Sequence, residues 1–428
     1  MPARALRVLL YDAPVGELTQ DTTRFRFGYD ADLAERVADP TPVSLSMPLE
    51  RRDHSGDAVA AFLWGLLPEN PAVLARWARE FQVSVANPVA LLEHVGLDCA
   101  GAVQFVRPDD PYERDPGGVE WLTEAGVAHL LRTLRRDATA WHGGLEDGQF
   151  SLAGAQSKTA LVHEKGRWGR PWGRAATTHI LKPAIPGLTD QDINEHLCLS
   201  AVRRLGLAAA TTAVSTFEDQ TALVVERYDR VRDGDRWARV HQEDLCQALG
   251  VHPVNKYQAD GGPSPQDIVD LLRAVQPTDQ ARESIMAFVD ALALNWWLAG
   301  IDAHAKNFSV LLSGDSVRLA PLYDISSALP YPDLMNPHKL KLAMKIGQEY
   351  RIKYIGRREW IRLARDLSLD ADAVLDRVRW LGEALPDAMS DVAGEAGVRS
   401  LDSPLPEALT DAVARRADSV LRELRATR

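Results

Sequence analysis

The sequence predicts an α+β fold, with a strand-rich front half and a helical back. Three observations predict it. Strand patterns recur up to about residue 250, and helical periodicity replaces them beyond it. A long apolar helix expected over 281–299 then runs directly into a short polar loop, 300–308, with the sequence GIDAHAKNF. A chain of 428 residues can bury a large core, and that length predicts two or three domains. The expected segments are 1–115, 116–250 and 251–428.

In chain order, 6–11 reads as a strand and 23–29 alternates as a strand should. Residues 58–66 and 71–81 read as helices, broken by Pro68-Glu69-Asn70-Pro71. Residues 98–105 return to strand, and 107–118, rich in Pro, Asp and Gly, marks the first boundary. In the second segment strands are expected at 159–163, 178–182, 212–218 and 221–228, with a helix at 192–205. The third segment reads as helices at 265–273, 281–299, 357–365, 371–384 and 406–425. There is no internal repeat and no low-complexity tract.

Composition excludes several classes. Hydrophobic content of 46% and charged content of 25% are those of an ordinary globular protein. Cys99, Cys198 and Cys246 are too few and too scattered for a disulfide framework or a paired-cysteine metal site, which suits a reducing cytoplasm. No apolar run reaches membrane-spanning length, and Met1 is not followed by a secretory apolar region. A net charge of −11 argues against broad nucleic-acid binding by the chain alone.

The 300–308 loop carries the chemistry. Asp302 and Asn307 stand five apart, the D-x-x-x-x-N spacing of a protein-kinase catalytic loop, and Asp324 follows in PLYDI. Phosphoryl transfer from ATP needs an Asp to orient the attacking hydroxyl, and an Asn and a second Asp to hold Mg²⁺. Asp302 could instead be an exposed turn residue after a helix, and Asp324 an N-cap before Ile325-Ser-Ser-Ala. His304 fits loop packing better than metal binding, since no second ligand stands at the right spacing. Lys306 could neutralise the transferring phosphoryl group or be a solvated loop charge.

Upstream, Lys182 ends the apolar strand HILK, as a lysine that meets the ATP phosphates would; an exposed strand-end lysine is the alternative. Glu195 on the next helix is its candidate ion-pair partner, or else faces solvent. The loop SLAGAQSKT, 151–159, precedes a strand. Its small residues would let Ala153, Gly154, Ala155 and Gln156 approach phosphates, although it lacks the glycines of a Walker or Rossmann motif. Glu226 to Tyr228 is a candidate hinge, where backbone groups would read adenine and Tyr228 would cover it; a strand leaving the core explains the pattern equally well.

Together these stretches resemble the HipA family of serine/threonine kinases, the toxin half of HipA/HipB toxin–antitoxin modules. The matching segments are DCAGAVQ at 98–104, SLAGAQSKTA at 151–160, NEHLC at 194–198 and VERYDR at 225–230. QEDLCQ at 242–247, DAHAKNFS at 302–309, LAPLYD at 319–324 and LAMKIG at 342–347 complete them, in the family's order. The resemblance implies a protein-kinase-like two-lobed fold: a mixed N-terminal lobe with an added small subdomain, and an all-helical C-terminal lobe. It implies Asp302 as catalytic residue, Asn307 and Asp324 as Mg²⁺ ligands, Lys182 as the ATP-phosphate lysine and Ser151 as an autophosphorylated loop serine. A phosphate on Ser151 would be repelled by nucleotide phosphates, which gives the modification an inhibitory sense. Ser157 departs from the family pattern, standing where the best-known members carry Glu. The resemblance further implies a translation component such as glutamyl-tRNA synthetase as substrate. It implies a HipB-like helix-turn-helix antitoxin as partner, with DNA met only through that antitoxin. Two other classes stay open at this point: a weakly catalytic co-repressor scaffold for the antitoxin, and a small-molecule phosphotransferase.

Overall fold

A computed structural model describes residues 4–21, 24–109, 117–142 and 150–425. The chain forms two compact units that do not follow sequence order. The first comprises Met1–Ile185, Ser215–Val254 and Ser309–Val317; the second comprises Pro186–Val214, Asn255–Phe308 and Arg318–Arg428. The mixed α+β class expected from the sequence is the class found.

The first unit opens with an antiparallel sheet of β1 (Arg4–Leu10), β2 (Ala13–Asp21), β3 (Arg24–Tyr29), β4 (Asp53–Ser55) and β5 (Val103–Val106), ordered β4-β3-β2-β1-β5. Alternation puts Leu6, Val8, Leu18 and Phe27 into one core with Phe62, Trp77 and Leu92 from three helices, Asp57–Leu66, Pro71–Glu80 and Pro88–Val95. Asn70 and Asn87 cap the second and third of these, each followed by Pro at the first turn. The strand expected from residue 98 starts only at Val103, because Gly101 sits at φ +77° and its N–H is used by the Asp229 carboxylate at 2.7 Å. A Cβ at Gly101 would lie 2.7 Å from the Gln242 backbone. Most of the expected 107–118 boundary lies outside the described residues.

A second sheet contains β6 (Gly118–Trp121), β7 (Thr159–Glu164), β8 (Arg167–Trp172), β9 (His179–Lys182), β10 (Thr212–Phe217) and β11 (Gln220–Glu226), ordered β10-β11-β9-β7-β8-β6. β8 was not expected. Lys165 and Gly166, both left-handed, turn β7 tightly onto it. Helix Glu124–Arg136, also unforeseen, is capped by Thr123 and packs Val127 and Leu131 against Leu161, Leu181 and Val224. Short ladders follow: β12 (Arg230–Asp233) with β13 (Arg236–Arg239), then β14 (His241–Asp244), β15 (Ser309–Ser313) and β16 (Ser316–Leu319).

The second unit is mainly helical: Gln191–Arg204, Pro265–Val275, Thr278–Leu298, Arg357–Asp366, Ala371–Ala393 and Leu405–Arg425. It adds one two-stranded hairpin, β17 (Lys341–Ile346) with β18 (Glu349–Arg351). Helix Ala371–Ala393 runs well beyond the expected 384 and packs on Gln191–Arg204, Thr278–Leu298 and Leu405–Arg425. Its Gly382 admits Trp297, which a Cβ would meet at 2.2 Å. No single described helix is long and apolar enough to cross a membrane.

Candidate active site

The loop after helix Thr278–Leu298 is set by how that helix ends. Ala299 turns left-handed at φ +52°, and the Gly300 N–H returns to the Asn295 carbonyl at 2.7 Å. A Cβ on Gly300 would stand 2.4 Å from Asn295 Oδ1, so any larger residue here would displace that side chain. The chain then closes on the Asp302 carbonyl, which accepts from the His304 N–H at 2.8 Å and from Asn307 Nδ2 at 2.9 Å. One bond thus ties the two ends of the D-x-x-x-x-N motif together.

The Asp302 side chain is 64% exposed. Tyr257 Oη donates to its Oδ1 at 2.6 Å, while Oδ2 accepts no hydrogen bond among the described residues. One carboxylate oxygen is held and the other remains open. His304 is buried and packs edge-on against the Tyr257 ring at 4.9 Å, so it braces the loop, as its spacing suggested. Lys306, at 5% exposure, is no solvated charge. With Nδ2 of Asn307 committed, its Oδ1 is the atom left for a cation, and it accepts no hydrogen bond among the described residues.

Asp324 is exposed and left-handed, at φ +59°, a conformation that costs a non-glycine residue about 1 kcal/mol or more. No helix follows it, so the N-cap alternative fails. Its neighbours pin it. Leu322 bridges Ala209, Tyr323 Oη donates to the Lys306 carbonyl at 2.7 Å, and Ile325 is buried. Asp324 is thereby tied to the Asp302 loop. Farther on, Asn194 exchanges bonds with Ser327 backbone N–H and C=O at 2.9 and 2.8 Å. Glu195 beside it is 1% exposed, which removes the solvent-facing alternative.

The other expected residues lie in the first unit. Lys182 pairs with Leu223 in register and is 9% exposed, not a loose strand end. In the small-residue loop, Gly154 takes φ +101° and any Cβ there would meet Lys158 Nζ at 2.6 Å. Lys158 donates to the Ala153 carbonyl at 2.6 Å, Glu69 N–H to Gly154 at 3.1 Å, Asn70 to Ala155 at 3.4 Å, and Gln156 to the Pro183 carbonyl at 3.2 Å. Ser151 is fully buried, its hydroxyl donating to the Leu66 carbonyl at 2.8 Å. Ser157 is half-buried and donates to Ala138 at 3.0 Å. At the candidate hinge Glu226 is exposed, the Arg227 N–H is taken by Thr178 at 2.9 Å, and Tyr228 Oη donates to Gln242.

Beneath that hinge lies a charge cluster that residue patterns did not reveal. Asp98 accepts from Arg230 at 2.9 Å, Arg239 at 3.0 Å and Thr177 at 2.6 Å. Asp229 accepts from Arg227 at 2.8 Å and from the Gly101 N–H at 2.7 Å. Burial alone would raise the Asp98 carboxyl, but Arg230, Arg227 and Arg239 outweigh it and bring it to about 2. Its parts stood in plain view as DCAGAVQ and VERYDR, but only the fold pairs residues more than 120 positions apart. Tyr257 and Tyr323 were likewise missed; neither carries a spacing signal.

A buried strand lysine in one unit and a tethered Asp–Asn turn in the other fit a single fold class. The fold is of the protein-kinase type, and the protein is a serine/threonine kinase. The chain belongs to the HipA family: residues 6–106 match the HipA N-terminal domain and 150–389 the HipA-like C-terminal domain. A Sinorhizobium fredii protein named as a kinase, Y4mE, is 36% identical over 98% of this chain and 99% of its own length. The serine/threonine-protein kinase toxin HipA of Shewanella oneidensis is 28% identical over 90% of this chain and 89% of its own. The solved structure of a Shewanella oneidensis HipA, in a complex with HipB and operator DNA, superposes with a TM-score of 0.83. It covers 99% of this chain and 100% of that one at 24% identity, a likeness of fold.

Proposed function

We propose that the protein transfers the γ-phosphoryl group of ATP, with Mg²⁺, to serine or threonine hydroxyls of a protein substrate, and that it is the toxin partner of a HipB-like antitoxin. The observation that carries this reading is the half-held carboxylate of Asp302: Tyr257 occupies Oδ1 and leaves Oδ2 exposed. That is the arrangement a positioning base needs, because a hydroxyl must reach it within hydrogen-bond range. Asn307 Oδ1 and the Asp324 carboxylate would hold Mg²⁺, both being hard oxygen donors on the same braced loop pair. When bound, that ion supplies neutralisation of phosphate charge. Lys182 and the 153–156 backbone would meet the ATP phosphates, Lys306 the transferring group, and Glu226 with Tyr228 the adenine. The Arg227 N–H is already used, so adenine reading at the hinge would fall to its neighbours.

Ser151 is the proposed autophosphorylation site. Its burial supports an all-or-none effect, because a phosphate cannot occupy that position without expelling the loop. A translation component such as glutamyl-tRNA synthetase is the proposed substrate, and DNA would be met through the antitoxin.

The test is incubation of the purified chain with labelled ATP and Mg²⁺ beside Asp302→Ala, with phosphate located by mass spectrometry. Phosphate on Ser151 or Ser157 in the wild type alone supports the reading. Absence of label in both proteins, with ATP still bound and the starting protein unphosphorylated, would sink it in favour of a co-repressor scaffold.

A further inference from the structure

The chain uses nine lysines against forty arginines, and four of the nine, Lys339, Lys341, Lys345 and Lys353, fall within fifteen residues. Arg351 joins them. They decorate hairpin β17–β18 and its flanks in an otherwise acidic chain of net charge −11. Lys339, Lys341, Arg351 and Lys353 are exposed. None of the five forms an ion pair with a carboxylate among the described residues. Instead Lys345 lies over the Tyr350 ring at 5.2 Å and Lys353 over Tyr354 at 4.6 Å.

Two features show that the hairpin is not arranged for its own stability. Lys341 stands directly across from Arg351 in the ladder, and like charges in that register repel. Tyr354, half-exposed, has its phenol drawn below the usual tyrosine range by hydrogen bonding and charge from Lys353 and then Arg351, a sign of a concentrated positive field. The hairpin also adjoins the catalytic loop. The Lys345 N–H bonds to Gln258 Oε1 at 2.8 Å, and Tyr257, next in the chain, holds Asp302.

We infer that this hairpin docks an acidic segment of the protein substrate flanking the phosphoacceptor hydroxyl. The inference rests on the kinase reading above and names its substrate class. Charge complementarity supplies the attraction, and the link through Tyr257 sets the reach: a peptide engaging Lys345 is within a few residues of Asp302. Lysine suits the task in a chain that elsewhere uses arginine, since a compact mobile ammonium meets varied carboxylates without demanding a planar fork.

The test measures fluorescence anisotropy of labelled peptides with a central serine flanked by glutamates or by lysines, beside an RNA oligonucleotide of equal charge. The full chain is compared with Lys341→Glu and Lys353→Glu. Expected is about tenfold tighter binding of the acidic peptide, narrowing at about 0.5 M salt, with the preference lost or reversed in each variant. Lys341→Glu also turns the repulsive cross-strand pair attractive, so its melting temperature should hold or rise while affinity falls. That outcome excludes misfolding. Equal binding of both peptides, or tighter binding of the RNA, overturns the inference. Phosphate transfer to the same peptides is read in parallel. Selective binding without transfer would refute the kinase reading and leave the docking surface standing; transfer without selectivity would do the reverse.

Discussion

Two aspartates, one in each unit, show opposite uses of the same side chain. Asp98 is 1% exposed, and each of its oxygens is bound, by Arg230 and Arg239 on one side and Thr177 on the other. Asp302 is open to solvent, with one oxygen held and one left over. A fully satisfied carboxylate can only hold structure, because nothing new can bind without breaking what is there. A half-satisfied one has fixed orientation and spare capacity, which is what proton handling at a substrate hydroxyl requires. The number of partners, rather than the residue type, separates the two roles.

The comparison predicts opposite phenotypes. Asp302→Asn should lower phosphoryl transfer by a factor of about 10³ or more, while the urea midpoint stays near wild type, since the lost group lies at the surface. Asp98→Asn should behave in reverse. It leaves Arg230 and Arg239 buried beside a neutral amide, a loss of about 3–5 kcal/mol that should appear as a lower urea midpoint. Transfer per folded molecule should fall far less than in Asp302→Asn. If both variants lost activity equally at unchanged stability, the distinction drawn here would be wrong.

Much of the proposed catalytic loop was legible because its motif is local. Asp302 and Asn307 are five apart, and a spacing that short is visible without a fold. The eight family segments made the fold class legible too. What stayed hidden depends on contacts across long sequence gaps. Nothing near Tyr257 announces that its hydroxyl meets Asp302 forty-five residues later. Strand β8 was missed because RWGRPW carries a Gly and a Pro and lacks a period-two apolar pattern, its place being set by the Lys165-Gly166 turn. The exposed-residue alternatives for Lys182, Glu195 and Lys306 failed for one reason: sequence reading assigns lone charges to water, whereas the fold buries these three.

Tyr257→Phe sharpens the comparison at a smaller scale. It frees Oδ1 of Asp302 and removes one bond at the surface, while the ring keeps its packing on His304. Transfer should fall several-fold, with the loss in kcat rather than KM for ATP, if Asp302 is the base proposed above, because the phenol then supplies its orientation. Unchanged kcat would mean that the loop backbone alone orients Asp302.

A third carboxylate tests whether cations, and not burial, set the behaviour of Asp98. Glu243 is as deeply buried, but its partners are neutral: Ser44 Oγ at 2.5 Å and the Leu45 N–H at 2.7 Å. Burial pushes its carboxyl up to about 8 against those two bonds, whereas the arginines bring Asp98 down to about 2. The signs then diverge. For Asp98 the folded pKa lies below the unfolded value of about 3.9, so its contribution is present above that value and is lost as pH falls toward 2. For Glu243 the folded pKa lies above the unfolded value of about 4.3, so the folded protein keeps a proton that the unfolded chain has released. Stability should therefore decline as pH rises from about 4 to about 8. Glu243→Gln keeps a neutral hydrogen-bonding group and removes the titration, so its melting temperature should fall less between pH 5 and about 8 than that of the wild type. Parallel profiles would show that Glu243 releases its proton as readily in the folded protein as in the unfolded chain, and that its two neutral hydrogen bonds offset its burial.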